Sequence, residues 1–192
     1  MSNARLSKPV RIVAACALFA VGACSAVSVE DTPPPRYSYR DGDFEYATHK
    51  GAIVTEVVGN PFGGSRQQFE SRVLGYMKGQ NRGKPADFVA AGGDRTLAPY
   101  KVVAAFNMPS YISPHDLCKG SASLPPPQAG AGSITLGIAF CIGDQLKSDA
   151  TGRVAQLSGT DDPRLGELVR RVTEAMIPPY DGLDSGSGNT QP

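Results

Sequence analysis

The sequence predicts a single α/β domain of the α+β type. Its elements run β-β-α-β-β-β-α, with two helices packed on one face of a mostly antiparallel or mixed sheet. Three observations carry this. Two segments, 65–78 and 163–176, place apolar residues at helical spacing between start and stop signals. Several β-branched and aromatic runs are bounded by Gly, Pro and Asn. These elements lie within residues 43–180, a length that can bury a sizeable core without a metal.

The first strand is expected at 44–48 and the second at 52–58, with His49-Lys50-Gly51 between them as a hairpin connection. Asn60-Pro61 ends the second, because proline cannot donate to a ladder. Ser65 and Gln68 form a capping box for a helix over 65–78. Phe69, Val73 and Met77 lie on one face of it, and Gly79 stops it. Residues 80–99 are rich in Gly and Pro; Phe88 and Val89 dip into the core there without an assigned element. Residues 100–106 read as the central strand and 133–142 as another. Gly143-Asp144 turns the chain, and 151–158 pairs back as a third strand in this half. Asp162 caps the last helix with Pro163 at its first position, where the missing N–H is harmless. Leu165, Leu168, Val169, Val172 and Met176 follow helical spacing, and Pro178-Pro179 ends it.

The 192 residues carry a net charge of +1. Residues 1–23 hold Arg5, Lys8 and Arg11 and no acid, so the remainder stands at −2. That balance gives no basic excess for a phosphate backbone, and no nucleic-acid partner is expected.

The first residues form an address. A basic start over 1–11 is followed by twelve apolar residues, 12–23, and then by small residues, the plan of a secretory signal. The stretch ends in Val21-Gly22-Ala23-Cys24. It resembles the lipobox of bacterial lipoproteins, whose cysteine thiol receives a diacylglyceryl group before cleavage and acylation of the new amino terminus. The resemblance implies that 1–23 is a signal peptide and Cys24 the lipidated first residue of the mature chain. Cys16 belongs to the signal. A permanent helix over 12–29 and ordinary signal cleavage near Ala23 or Ala26 are the alternatives. The positive-inside rule puts the domain outside the cytoplasm in each case. Ser25, where enteric lipoproteins retained in the inner membrane carry Asp, implies the outer membrane of a Gram-negative bacterium.

Residues 24–42 then read as the lipidated N-terminus and a tether. Pro33-Pro34-Pro35 favours polyproline II, and such a spacer could reach roughly 50 Å from the bilayer. The globular domain occupies 43–180, and 181–192, polar and rich in Gly and Ser, reads as a disordered tail. In an oxidising compartment the remaining cysteines, Cys118 and Cys141, are expected to form a disulfide; two buried thiols are the alternative.

Catalytic patterns are scarce. His115, Asp116 and Cys118 are sequence neighbours, which establishes no nucleophile–base geometry. His49 and His115 lie on separate loops, and no metal or cofactor is expected. Asp161-Asp162 reads as helix capping and dipole placement. Phosphate-loop, dinucleotide and nucleophile-elbow patterns are missing from the sequence. Arg164, Arg170 and Arg171 mark the last helix; Arg170 and Arg171 read as a solvated face or as a contact for anionic lipid or glycan. Tyr37, Tyr39, Phe44 and Tyr46 read as cover for a sheet edge or as a binding surface. The expected function is a membrane-anchored, non-enzymatic envelope adaptor with an envelope protein as partner. Its candidate surfaces are 60–64, 107–116 and 125–132. A small-ligand or glycan binder is the alternative, and an envelope hydrolase using His115 and Asp116 ranks last. The architecture also looks like that of periplasmic adaptor lipoproteins, a likeness that implies no function by itself.

Overall fold

In the computed structural model the described residues are 27–31, 39–40, 42–120, 132–155 and 157–177. They form a mixed α/β fold with one six-stranded mixed sheet and four helices. The strands are β1 (Ser28–Asp31), β2 (Ala52–Val58), β3 (Asp87–Val89), β4 (Tyr100–Phe106), β5 (Ser133–Ile142) and β6 (Gln145–Ala155). The helices are α1 (Asp43–Ala47), α2 (Arg66–Met77), α3 (Pro114–Leu117) and α4 (Pro163–Met176). The strand order is β1-β6-β5-β4-β2-β3. Pairing is antiparallel from β1 to β4 and parallel from β4 through β2 to β3.

From Val102 to Phe106 β4 is buried on both faces, which is why that stretch is continuously apolar rather than alternating. Val102, Ala104 and Phe106 join the main core with Phe69, Val73 and Met77 of α2 and Leu165, Leu168, Val169 and Val172 of α4. Val103 and Ala105 point the other way, into a smaller cluster with Leu117, Cys118, Ala139 and Cys141. Helix α2 starts where Ser65 Oγ accepts from Gln68 N–H at 3.3 Å. Helix α4 starts on Asp162, whose side chain accepts from Arg164 N–H at 3.0 Å.

Several expectations change. Residues 44–48 are not a strand: α1 occupies 43–47. Phe44 and Ala47, three apart, are buried, whereas Tyr46 is 60% exposed, so the burial follows helical spacing. There is thus no hairpin at His49-Lys50-Gly51; Gly51, at φ 96°, closes the turn after α1 with its N–H on Thr48 O. The segment 24–42 is also not a spacer throughout. Val27 is buried and β1 pairs with β6 from Ser28 to Asp31, so an edge strand begins within the expected spacer. Pro33-Pro34-Pro35 lie outside the described residues, but they follow β1 in sequence and so cannot separate Cys24 from the sheet. β1 also takes residues 28 and 29 from the stretch read as an alternative spanning helix. The order is therefore β-α-β-α-β-β-α-β-β-α. In addition, β6 starts at Gln145, directly after the turn, and β3 forms a short parallel edge in the unassigned 80–99 region.

Side chains of helix α4 pack directly on Gly152 of β6. A Cβ there would overlap Val172 Cγ2, approach Leu168 Cδ1 to 2.8 Å and meet Ser28 O at 3.3 Å. Valine is stiff at χ1 and Ser28 O is backbone, so neither yields easily. Gly152→Ala should therefore destabilise the fold by about 1–3 kcal/mol, read as a lower urea midpoint. An unchanged midpoint would mean that α4 does not press on β6.

Candidate functional site

The pairing registers bring five strand ends together. Ser28 begins β1, Ser133 begins β5, and Val58, Phe106 and Ala155 end β2, β4 and β6 on the same side. The loops 59–64, 107–113 and 157–162 gather at this end. Two of the three candidate surfaces, 60–64 and 107–116, thus lie beside each other; of the third, only Gly132 is described.

Asn107 organises the loop after β4. It takes a left-handed conformation, φ 50°, which asparagine tolerates better than other L-residues. Its N–H donates to Thr135 O at 3.0 Å and its Oδ1 accepts from Thr135 N–H at 2.9 Å. The side chain so prolongs the β4–β5 pairing by one step. Below it, the loop stands off the sheet and leaves an open groove of about 480 Å³. Met108, Ile112 and Leu117 form its apolar wall, and Thr135, Thr151 and Arg153 its polar wall. Arg153 is exposed and makes no ion pair among the described residues.

The chain then enters α3. Ser113 and Asp116 form a reciprocal capping box, and Asp116 also takes Lys119 at 2.7 Å. The Lys119 ammonium, then the Ser113 hydroxyl and N–H, hold the Asp116 carboxyl well below the usual carboxylate range. A carboxylate so stabilised is a poor proton acceptor near neutral pH. His115 is exposed beside it. The next residue but two is Cys118, bonded to Cys141 with Cα atoms 5.6 Å apart. This bond staples the loop to the second face of the sheet.

Asp162 is buried at the start of α4. Its carboxylate accepts from the Arg164 guanidinium at 2.7 Å and from Ser158 N–H at 3.1 Å. Arg164 first, then the backbone N–H groups, hold its carboxyl well below the usual range. A carboxyl lowered on folding stabilises the protein above its unfolded pKa, near 3.9, and loses that contribution as pH falls toward its folded value. Asp162→Asn, which keeps an acceptor for the helix N–H but no charge, should be less stable than the parent at pH 7. The gap should narrow at pH 3; urea midpoints at both values check it, and a gap independent of pH would remove the charge from the account. Asp161 pairs with Arg72 across to α2.

The aromatic set does not form one surface. Phe44 packs edge-on against Phe140 at 5.2 Å, Tyr39 meets the same ring at 6.3 Å, and Tyr46 stacks with His49 at 5.6 Å. Tyr37 lies outside the described residues, as does Cys24. Arg170 sits 6.0 Å over the Tyr76 ring, and Arg171 pairs with Glu167 and donates to Val27 O at 2.7 Å. No group of three or more His, Cys, Asp or Glu among the described residues is placed to hold a metal ion.

The chain matches no family model and no curated protein. Among solved structures it is similar to a PelC dodecamer from Paraburkholderia phytofirmans that carries one leucine-to-methionine change. The identity is 13% over 79% of this chain and 98% of that one, with a TM-score of 0.43. A second PelC dodecamer from the same organism is 15% identical over 79% and 97%, with a TM-score of 0.42. A likeness of that degree assigns no activity, partner or assembly to this chain.

Sequence reading placed Asn107 in a candidate surface but gave it no individual role, and it missed Arg153, because neither belongs to a motif. It also missed β1, although Val27 and Val29 alternate with Ser28 and Glu30 as a half-buried strand requires.

Proposed function

We propose that the chain is a lipid-anchored, non-enzymatic module of the bacterial cell envelope that faces the periplasm and binds an envelope protein. The observation that carries the reading is Val21-Gly22-Ala23-Cys24 at the end of a basic and then apolar leader. Cys24 is the lipid-bearing residue, and Ser25 after it favours the outer membrane. Several acyl chains on one residue would make the attachment stable. Non-enzymatic use is supported by the fate of the candidate catalytic groups. Asp116 is engaged by Ser113 and Lys119, and Cys118 by Cys141. Intact mass of the membrane-extracted protein tests the anchor. The expected chain starts at Cys24 and carries added acyl mass; an unmodified chain, or one keeping residues 1–23, overturns it. Crosslinking in membranes tests the partner, which should be captured above the level of an unrelated lipidated domain.

One observation favours a second reading, a small-ligand or glycan binder. The groove beside Asn107 combines an apolar wall with Arg153 and two threonine hydroxyls, a mixture suited to an anionic or hydroxylated ligand. Such a ligand would raise the melting temperature in proportion to its occupancy. No shift across a panel of envelope glycans and anionic metabolites would count against it.

A further inference from the structure

We propose that the end of the sheet where the loops 59–64, 107–113 and 157–162 gather is a lipid-facing surface, seated on the headgroups of the bilayer that holds Cys24. The inference rests on the lipidation of Cys24 and adds to it a fixed orientation of the domain.

The first argument is length. Val27 is fixed: it is buried, and its carbonyl accepts from Arg171 at 2.7 Å. Ser28 is already paired with Arg153, two residues from the end of β6. Three residue steps separate Cys24 from Val27, and a fully extended chain spans at most about 3.3–3.6 Å per step, so about 10 Å in all. The lipid attachment therefore cannot stand far from this corner of the sheet. The second argument is direction. Followed backward from Asp31 to Ser28, β1 runs toward the end at which β2, β4 and β6 finish and β5 begins.

The third argument is the chemistry of that end. The arginines Arg66 and Arg153 are exposed and form no ion pair among the described residues. The aspartates there are engaged, Asp161 by Arg72 and Asp162 by Arg164. Glu30, an exposed acid of β1, lies two residues farther from the end, opposite Thr151. The surplus is positive, which suits anionic headgroups. Tyr111, 72% exposed, projects from the same loop cluster. Tyrosine is enriched at membrane–water interfaces, where its ring and hydroxyl meet different media. The opposite end, with Tyr46 against Tyr100 at the start of β4, is then left for an aqueous protein partner.

The chain contains no tryptophan, so Tyr111→Trp and Tyr46→Trp each introduce a single probe at an exposed site. The seven residues of β4 alone set the two ends about 20 Å apart. The lipidated protein is placed in vesicles of phosphatidylethanolamine and phosphatidylglycerol that contain spin-labelled lipid. Emission from the Tyr111→Trp protein should shift to shorter wavelength, be quenched several-fold more by the lipid label, and be shielded from iodide. The Tyr46→Trp protein should show the reverse. If position 111 is not the more strongly quenched by lipid, in a sample whose mass carries the acyl chains, the seat is overturned and the anchor stands. A sample lacking the acyl mass overturns both.

Discussion

Phe140→Ala should lower the stability of the fold by about 3–5 kcal/mol, the cost of removing a fully enclosed phenylalanine and leaving a cavity. Phe140 has no exposed surface. Its ring is the meeting point of three others: Phe44 of α1 at 5.2 Å, Tyr39 at 6.3 Å and Tyr100 of β4 at 6.4 Å. The substitution therefore removes the surface on which α1 and Tyr39 are docked, as well as a core side chain. Urea denaturation should show a large fall in midpoint, and proteolysis should open the chain near α1 first. Phe140→Leu, which keeps most of the volume, should cost clearly less. A loss below about 1 kcal/mol for the alanine variant would mean that the site collapses freely and that α1 is not held there.

The second large effect concerns the disulfide. Cys118 and Cys141 are 23 residues apart in sequence. Closing a loop of that size removes unfolded-state entropy worth about 3–3.5 kcal/mol in the chain-entropy model. Replacing both cysteines by alanine should lower stability by about that amount while leaving the small cluster around Leu117 and Ala139 apolar. The parent protein under reducing conditions should approach the same midpoint, whereas the variant should not respond to reductant. Equal stability of the parent with and without reductant would show that the bond is absent from the protein in solution. Loss of the staple should also loosen the 107–117 loop and widen the groove beside Arg153.

Legibility in the sequence followed the range of the interaction concerned. Helices α2 and α4 were readable because their signals are local. Ser65 and Asp162 cap within three residues, Pro163 stands where a missing N–H is harmless, and the apolar stripe repeats every three or four positions. β4 and β5 were readable because each carries an apolar run, 102–106 and 138–141, that is buried on both faces. The pairing of Cys118 with Cys141 was expected from compartment and count rather than from geometry. Residues 44–48 misled because an aromatic pair two apart imitates a strand. Only the location of Phe140 and Phe88 decides that Phe44 turns inward while Tyr46 does not. The groove was not legible, because its walls come from β4, β5, β6 and the loop before α3.

The sequence by itself determined the two long helices with their ends, the central strands and the near-neutral charge. Each depends on residues a few positions apart, or on composition alone. The tertiary structure decided that Ser28–Asp31 is an edge strand, that α1 is a helix, and that the loop end lies beside Val27. Those outcomes depend on partners far along the chain: Ser28 meets Arg153 125 residues later, and Val27 meets Arg171 144 residues later. A short segment such as β1 has too few residues to specify a strand alone. It becomes one only when β6 offers an open edge and α4 covers its apolar face.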